Sequence, residues 1–166
     1  AEHQRERQHD ARAHLLAQFN LSWIEEPLSQ DDLKGYRELC SRSPVPIAGG
    51  EGEVTRYGFE ELVNCGFHTL QPDVAICGGL TVCREVTRMC EAAGIRAVPH
   101  CFSTGINLAA SLNWISTDPA GDLVEYCLRP SPLMRKLVAN LPALEEGRVP
   151  VPAGPGIGID LDEEIF

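Results

Sequence analysis

Apolar residues in this chain gather in short runs, and the stretches between them carry a helical period. The runs are LSWIE at 21–25, VPIAG at 45–49, FHTLQPD at 67–73, IRAVPH at 95–100 and DLVEY at 122–126. Each is rich in β-formers and has the length of a strand. Between them, DDLKGYRELC opens with acids, which suit a helix N-terminus. Tyr57, Phe59, Leu62 and Val63 mark a second helix, which Gly66 is placed to end. Residues 81–93 form a third, closed by Gly94, and 106–115 a fourth. Residues 1–19 read as an exposed helix with a narrow apolar stripe of Leu15, Leu16 and Phe19. Strand–helix alternation with short connections predicts right-handed βαβ units and a parallel sheet.

Composition narrows the class. The 166 residues carry 14 Lys+Arg against 24 Asp+Glu, a formal charge of −10, which disfavours nucleic acid and anionic membrane as partners. A hydrophobic fraction of 43% argues against disorder. No apolar run is long enough to span a bilayer. The start, AEHQRERQHD, has no apolar core of a secretory signal and reads as a chain entered in the middle. The seven cysteines (40, 65, 77, 83, 90, 101 and 127) are odd in number, include no C-x-x-C pair and mostly lie in apolar runs. They read as reduced thiols of a cytoplasmic protein.

No G-x-G-x-x-G or G-x-x-x-x-G-K-[ST] follows any strand, and the pairs Gly49-Gly50 and Gly78-Gly79 read as turn glycines. The informative pattern is a charged residue at the end of every run: Glu25, Glu51, Asp73, His100 and Glu125, spaced 26, 22, 27 and 25 residues apart. That is the repeat of a βα unit. A parallel barrel puts all its strand C-termini on one face, so the five groups are expected to converge there. Glu25 and Glu51 on adjacent strands repel unless a cation lies between them, and oxygen donors of this kind select Mg²⁺. Taken alone, Glu25 reads equally well as a salt-bridge partner of a neighbouring loop. Asp73 beside His100 fixes the imidazole tautomer and raises its basicity, which suits a general base, while the plainer reading is a histidine bonded to a carbonyl. Glu125 reads as a hydrogen-bonding group at a substrate oxygen or as a salt bridge to Arg129. His68 opens its strand and belongs to the opposite, structural face, and His3, His9 and His14 fall on the first helix.

The run WIEEPLSQDDLKGYRELC…VPIAGGE…LQPDVAICGGLT…AVPHCFSTG…LVEY resembles the enolase superfamily in its mandelate racemase/muconate lactonizing enzyme branch, from Ser22 to near the end of the chain. The resemblance implies an α/β fold: a partial TIM-type (β/α) barrel of about the last five βα units plus a C-terminal tail, GPGIGIDLD, that packs back against a capping domain. Residues 1–166 would be the C-terminal part of that barrel domain. Glu25 and Glu51 would bind Mg²⁺, with Glu26 supporting them. Asp73 and His100 would form the acid/base dyad, and Glu125 would stabilise an enediolate. A third metal ligand one strand before Glu25, the capping domain, the first strands and a second acid/base would precede Ala1. The isolated chain is therefore expected to be inactive or very weak.

The implied chemistry is abstraction of the proton α to a carboxylate. Its outcome is most simply dehydration of a sugar acid. Racemisation or epimerisation and lactone cycloisomerisation are the alternatives within the family. The partner would be a small carboxylate, and the complete protein a homo-oligomer. A non-catalytic half-barrel that needs a partner chain is the competing class. A sugar-phosphate barrel is disfavoured, because CFSTG and YCLRPSP lack a Gly-rich phosphate loop.

Overall fold

The computed structural model describes residues 11–129, 131–162 and 165. Four short strands form one parallel sheet in chain order: β1 (Ile24–Glu25), β2 (Ile47–Gly49), β3 (Thr69–Leu70) and β4 (Arg96–Ala97). Ile24 pairs with Ile47, Ala48 with Thr69, and Thr69 with Arg96. Parallel neighbours need a crossover, and helices supply each one. These are α1 (Leu33–Arg42), α2 (Arg56–Cys65) and α3 (Leu80–Ala93). After β4 come α4 (Gly105–Ile115) and a short α5 (Pro132–Lys136).

The helix signals read from the sequence act as expected. Asp32 caps α1 by accepting the Gly35 N–H at 2.8 Å. Gly66 ends α2 in the left-handed region at φ 92°, and its N–H reaches Leu62 O and Val63 O. Gly94 ends α3 in the same region. Thr104 caps α4 by accepting the Asn107 N–H. That helix starts at Gly105, one residue earlier than its apolar pattern indicates.

The helices cover one side of the sheet. Ile47 and Leu70 pack there with Tyr36, Leu39, Phe59, Leu62, Val86 and Trp114. Ile47, Phe59, Leu70 and Val86 are fully buried, each contributing about 1.5–3 kcal/mol of transfer free energy. A second cluster, Cys101, Leu108, Leu112 and Met134, sits under α4 with Val124 and Tyr126 against it. All seven thiols are free, and five are buried. No helix among the described residues is long and apolar enough to cross a membrane.

Three expectations are revised or only partly covered. Residues 122–126 do not form a fifth strand. Only the Glu125 N–H reaches across, to Pro99 O at 3.4 Å. With no strand on its far side among the described residues, the segment has one possible ladder, and Val124 and Tyr126 pack on the second cluster instead while Leu123 stays exposed. Residues 11–16 are helical and lead into a 3₁₀ turn at Ala17–Phe19, but Leu15 and Phe19 are mostly exposed and Ala13 makes the core contact. The expectation for residues 1–10, with His3 and His9, lies outside the described residues. The tail folds back on its own chain: Ala139 N–H reaches Asp160 O, Asp162 N–H reaches Leu137 O, and Asn113 of α4 holds Ile157 O at 3.1 Å.

Candidate active site

The strand C-termini set the site. β1 delivers Glu25 at its last residue, and the chain then turns sharply at Glu26, whose φ of 36° is left-handed. The Glu26 carboxylate is used structurally: Oε1 accepts the Gly50 N–H at 3.0 Å, and Oε2 accepts from Gln30. Gly50 carries φ 109°, a conformation L side chains avoid, and this turn launches Glu51 off the end of β2.

β3 continues past Leu70 into Gln71, Pro72 and Asp73. Asp73 forms an isolated parallel bridge with His100, beyond the end of β4, so the two side chains lie side by side. His100 Nδ1 is 2.9 Å from Asp73 Oδ2, and its Nε2 is 3.3 Å from Glu51 Oε2. Asp73 is buried, with 1% exposure. Its Oδ1 accepts the Ala75 N–H at 2.7 Å, and Asn107 Nδ2 lies 3.1 and 3.0 Å from the two carboxylate oxygens. Phe102 stacks on the imidazole at 5.3 Å between ring centroids.

Gln71 links the other two predicted carboxylates. Its single amide nitrogen donates to Glu25 Oε2 at 2.6 Å and to Glu125 Oε1 at 2.7 Å. Gln71 sits in the middle of the sheet, so one side chain reaches both flanks. Thus all five predicted residues come together in two linked groups, Asp73–His100–Glu51 and Glu25–Gln71–Glu125. His68, by contrast, accepts the Ile47 N–H through Nδ1 at the other end of the strands.

The electrostatics follow the geometry. Burial raises the Asp73 pKa, but hydrogen bonds from His100, the Ala75 N–H and Asn107 outweigh it and hold the carboxyl below its usual value. His100 is pushed up, first by its hydrogen bond to Asp73 and then, against burial, by the charges of Glu51 and Glu125. Glu125 is pushed up by burial first and then by the charge of Glu25. Its Oε2 and the Gln71 Oε1 are buried without a partner. The charges acting on Glu125 and His100 come from Glu25, Glu51 and Asp73 and from each other, a cluster whose negative groups outnumber its one imidazole. A cation is the natural complement to such a cluster. Among the described residues no group of three or more His, Cys, Asp or Glu forms a metal cage, but Glu25 and Glu51 are hard oxygen donors of the type Mg²⁺ takes.

Two residues here escaped the sequence reading. Gln71 lies two positions before Asp73, and the strand period of two puts both on one face, a signal that was present. Asn107 lies inside α4, where a helical apolar run conceals it; the capping Ser-Thr-Gly before it was the only hint.

Comparison with known proteins agrees with this architecture. Residues 3–165 match the family model described as enolase C-terminal domain-like. L-rhamnonate dehydratase of Saccharopolyspora erythraea is 34% identical over 92% of this chain and 40% of its own length. D-galactarolactone cycloisomerase of Agrobacterium fabrum is 29% identical over 89% of this chain and 42% of its own length. The crystal structure of the 3,6-anhydro-D-galactonate cycloisomerase from Zobellia galactanivorans superposes with a TM-score of 0.86 at 29% identity, covering 96% of this chain and 46% of that one. The chain thus spans about two fifths of the curated relatives it matches. In strand order, in helix placement and in sequence over almost all its residues, the chain belongs to the enolase C-terminal domain-like family of the enolase superfamily.

Proposed function

We propose that residues 1–166 are the C-terminal part of an enolase-superfamily barrel domain, and that the cluster on its strand ends abstracts the proton α to a carboxylate. The dehydration of a sugar acid is the proposed outcome. The observation that carries this reading is His100, held at Nδ1 by the buried Asp73 and facing Glu51 with Nε2 at 3.3 Å.

His100 is the base. With Nδ1–H committed to Asp73, Nε2 is the atom that takes the proton, and the ionised Asp73 stabilises the imidazolium that results. Glu125 is the hydrogen-bonding partner of the substrate oxygen on which charge develops. Its raised pKa suits a carboxyl that donates rather than accepts. Gln71 orients both Glu125 and Glu25. Glu25 and Glu51 are proposed as two of the ligands of a Mg²⁺ ion, with the third supplied from outside these residues. That ion, when bound, would offset the carboxylate cluster and stabilise the enediolate. Phe102, exposed over the imidazole, offers an apolar wall beside Nε2. A reducing, cytoplasmic setting fits the free thiols. Assembly of identical copies belongs to the same proposal.

Cycloisomerisation is the second reading, favoured by two relatives named as cycloisomerases of D-galactarolactone and of 3,6-anhydro-D-galactonate. Both outcomes begin with the same proton abstraction. The test is α-deuterium incorporation from solvent by the complete protein that contains these residues, with Mg²⁺ and a panel of acid sugars and their lactones. Formation of 2-keto-3-deoxy acids marks dehydration, and a ring-opened isomer marks cycloisomerisation. If no acid exchanges, the enzymatic reading falls and the half-barrel without catalysis takes its place.

A further inference from the structure

Asn107 stands out among the buried polar side chains. It is 3% exposed and sits in the first turn of α4, where its own N–H donates to Thr104 Oγ1 at 3.2 Å. Its amide nitrogen lies within 3.1 Å of both Asp73 oxygens and 3.0 Å from Ser103 Oγ, while its Oδ1 accepts from Ser111 at 3.3 Å. The orientation of the amide is fixed by these partners: an ionised carboxylate only accepts, so the NH₂ must face Asp73. A helix in this setting has no intrinsic use for asparagine, a poor helix former that is costly to bury. A leucine would extend the adjoining cluster of Leu108 and Leu112. The side chain is therefore retained for what it holds.

We propose that Asn107 is the positioning residue of the His100–Asp73 pair. By straddling both oxygens, its amide fixes the plane of the Asp73 carboxylate, so that Oδ2 meets His100 Nδ1–H and Nε2 faces the site beside Glu51. This rests on the reading of His100 as the base. Without Asn107, the carboxylate is held only by the Ala75 N–H on Oδ1 and by the imidazole itself on Oδ2, so it can turn about its Cβ–Cγ bond over a wider range, and the ring follows it. Ser111 braces the amide from behind, and Ser103 accepts from the same nitrogen, so the helix start acts as a rigid mount for Asp73.

The test separates this role from the helix cap. In the full chain, with the ring neutral, nitrogen-15 spectra of His100 report which ring nitrogen carries the proton. Wild type is expected to show the Nδ1–H tautomer alone, and Asn107→Leu, close in volume, a mixture of both. On the acid sugar that exchanges fastest, Asn107→Leu is expected to lower kcat about ten- to a hundredfold, as loss of a supporting hydrogen bond does elsewhere, with KM within about twofold. Thr104→Ala removes the cap without touching Asp73, so it is expected to lower Tm and leave tautomer and kcat unchanged. If Asn107→Leu fails to fold, Ser111→Ala, which removes only the brace, is expected to shift the tautomer in the same direction by less. A single Nδ1–H tautomer in the variant that folds, or a loss of kcat equal to that of Thr104→Ala, overturns the proposal. The tautomer is read without substrate. A wild type that exchanges no acid sugar therefore removes the base assignment, while the spectra still decide whether Asn107 sets the ring.

Discussion

Leu70 and Gln71 are neighbours on one strand, both almost completely buried, and they face opposite ways. Leu70 enters the cluster under the helices, where nothing needs a hydrogen bond. Gln71 turns to the other side, spends both amide hydrogens on two carboxylates and leaves its oxygen unpaired. The same contrast runs along the whole sheet. The helix side is apolar and closely packed, so it gains stability from burial. The strand-end side collects like charges and two orphaned oxygens, arrangements that cost stability and hold reactive groups in place. One side makes the fold, and the other spends part of that stability on the site.

The sharpest way to break this comparison is a pair of substitutions, one on each side. His100→Asn keeps a donor toward Asp73 but removes the base, and α-proton exchange is expected to fall about 10²–10⁴-fold, with little change in Tm at pH 9. Phe59→Ala empties a fully buried site on the helix side and is expected to cost about 3–5 kcal/mol of stability. Activity per folded molecule should stay close to wild type. Chemical denaturation and deuterium exchange measure the two effects. An exchange rate unaffected by His100→Asn would sink its role as base, and a collapse of activity per folded Phe59→Ala molecule would show that the two sides are not separable.

Glu125→Gln tests the claim that the site costs stability. A buried carboxyl with a raised pKa makes the fold less stable as pH climbs through that raised value, because the charged form is disfavoured inside. The glutamine keeps an oxygen for Gln71 to donate to and carries no charge. The variant is expected to melt above wild type at pH 8, and the gap should close as the solution is taken below the ordinary carboxylate value of 4.5. Exchange activity should fall at least tenfold. A lower Tm than wild type at pH 8 would mean that Glu125 is a stabilising group and that the cost lies elsewhere.

The sequence made the helix side and the general plan legible, because period and caps are local. Gly66 and Gly94 stop helices where their positions in the apolar pattern put them. Glu25, Glu51, Asp73 and His100 were also legible, since a residue at or just past the end of a parallel strand has its direction fixed by the barrel rule before any contact is known, whereas Glu125 reaches the same cluster from a segment that is not a strand. What was hidden depends on pairing between distant segments. Residues 122–126 carry a strand pattern but, among the described residues, have no second neighbour to complete a ladder. Asn107 carries a helix pattern, and its role appears only when α4 is set against the end of β3. Gln71 lay in between: its face could be deduced from Asp73, but the reach to Glu25 and Glu125 on either flank needed the curvature of the sheet.

The dyad itself gives a smaller effect with a defined sign. A histidine with a raised folded pKa stabilises fully below its unfolded value of 6.5, and this is lost as pH rises through the folded one. Asp73, held below its ordinary 3.8, stabilises above that value, and this is lost as pH falls through its own lowered pKa. The pair therefore contributes in full between about pH 4 and 6.5. Melting wild type and His100→Asn side by side should give a Tm gap that is widest in that window and shrinks toward pH 9. A gap that stays constant with pH would mean that the imidazole contributes packing, not charge.

Asp32 gives the smallest effect and shows most plainly that position, not charge, separates the two sides. Like Glu25, seven residues earlier, it carries a carboxyl group, yet its Oδ1 holds the Gly35 N–H at the start of α1 on the helix side. An N-cap of this kind is worth about 1 kcal/mol, and its carboxylate also meets the positive end of the helix. Asp32→Ala is thus expected to lower stability by about that amount, by urea titration, with no change in exchange activity. Asp32→Asn, which keeps the capping oxygen and drops the charge, should recover most of the loss. If the asparagine behaves like the alanine, the charge of Asp32 matters more than its hydrogen bond, and the helix side too depends on where its carboxylates lie.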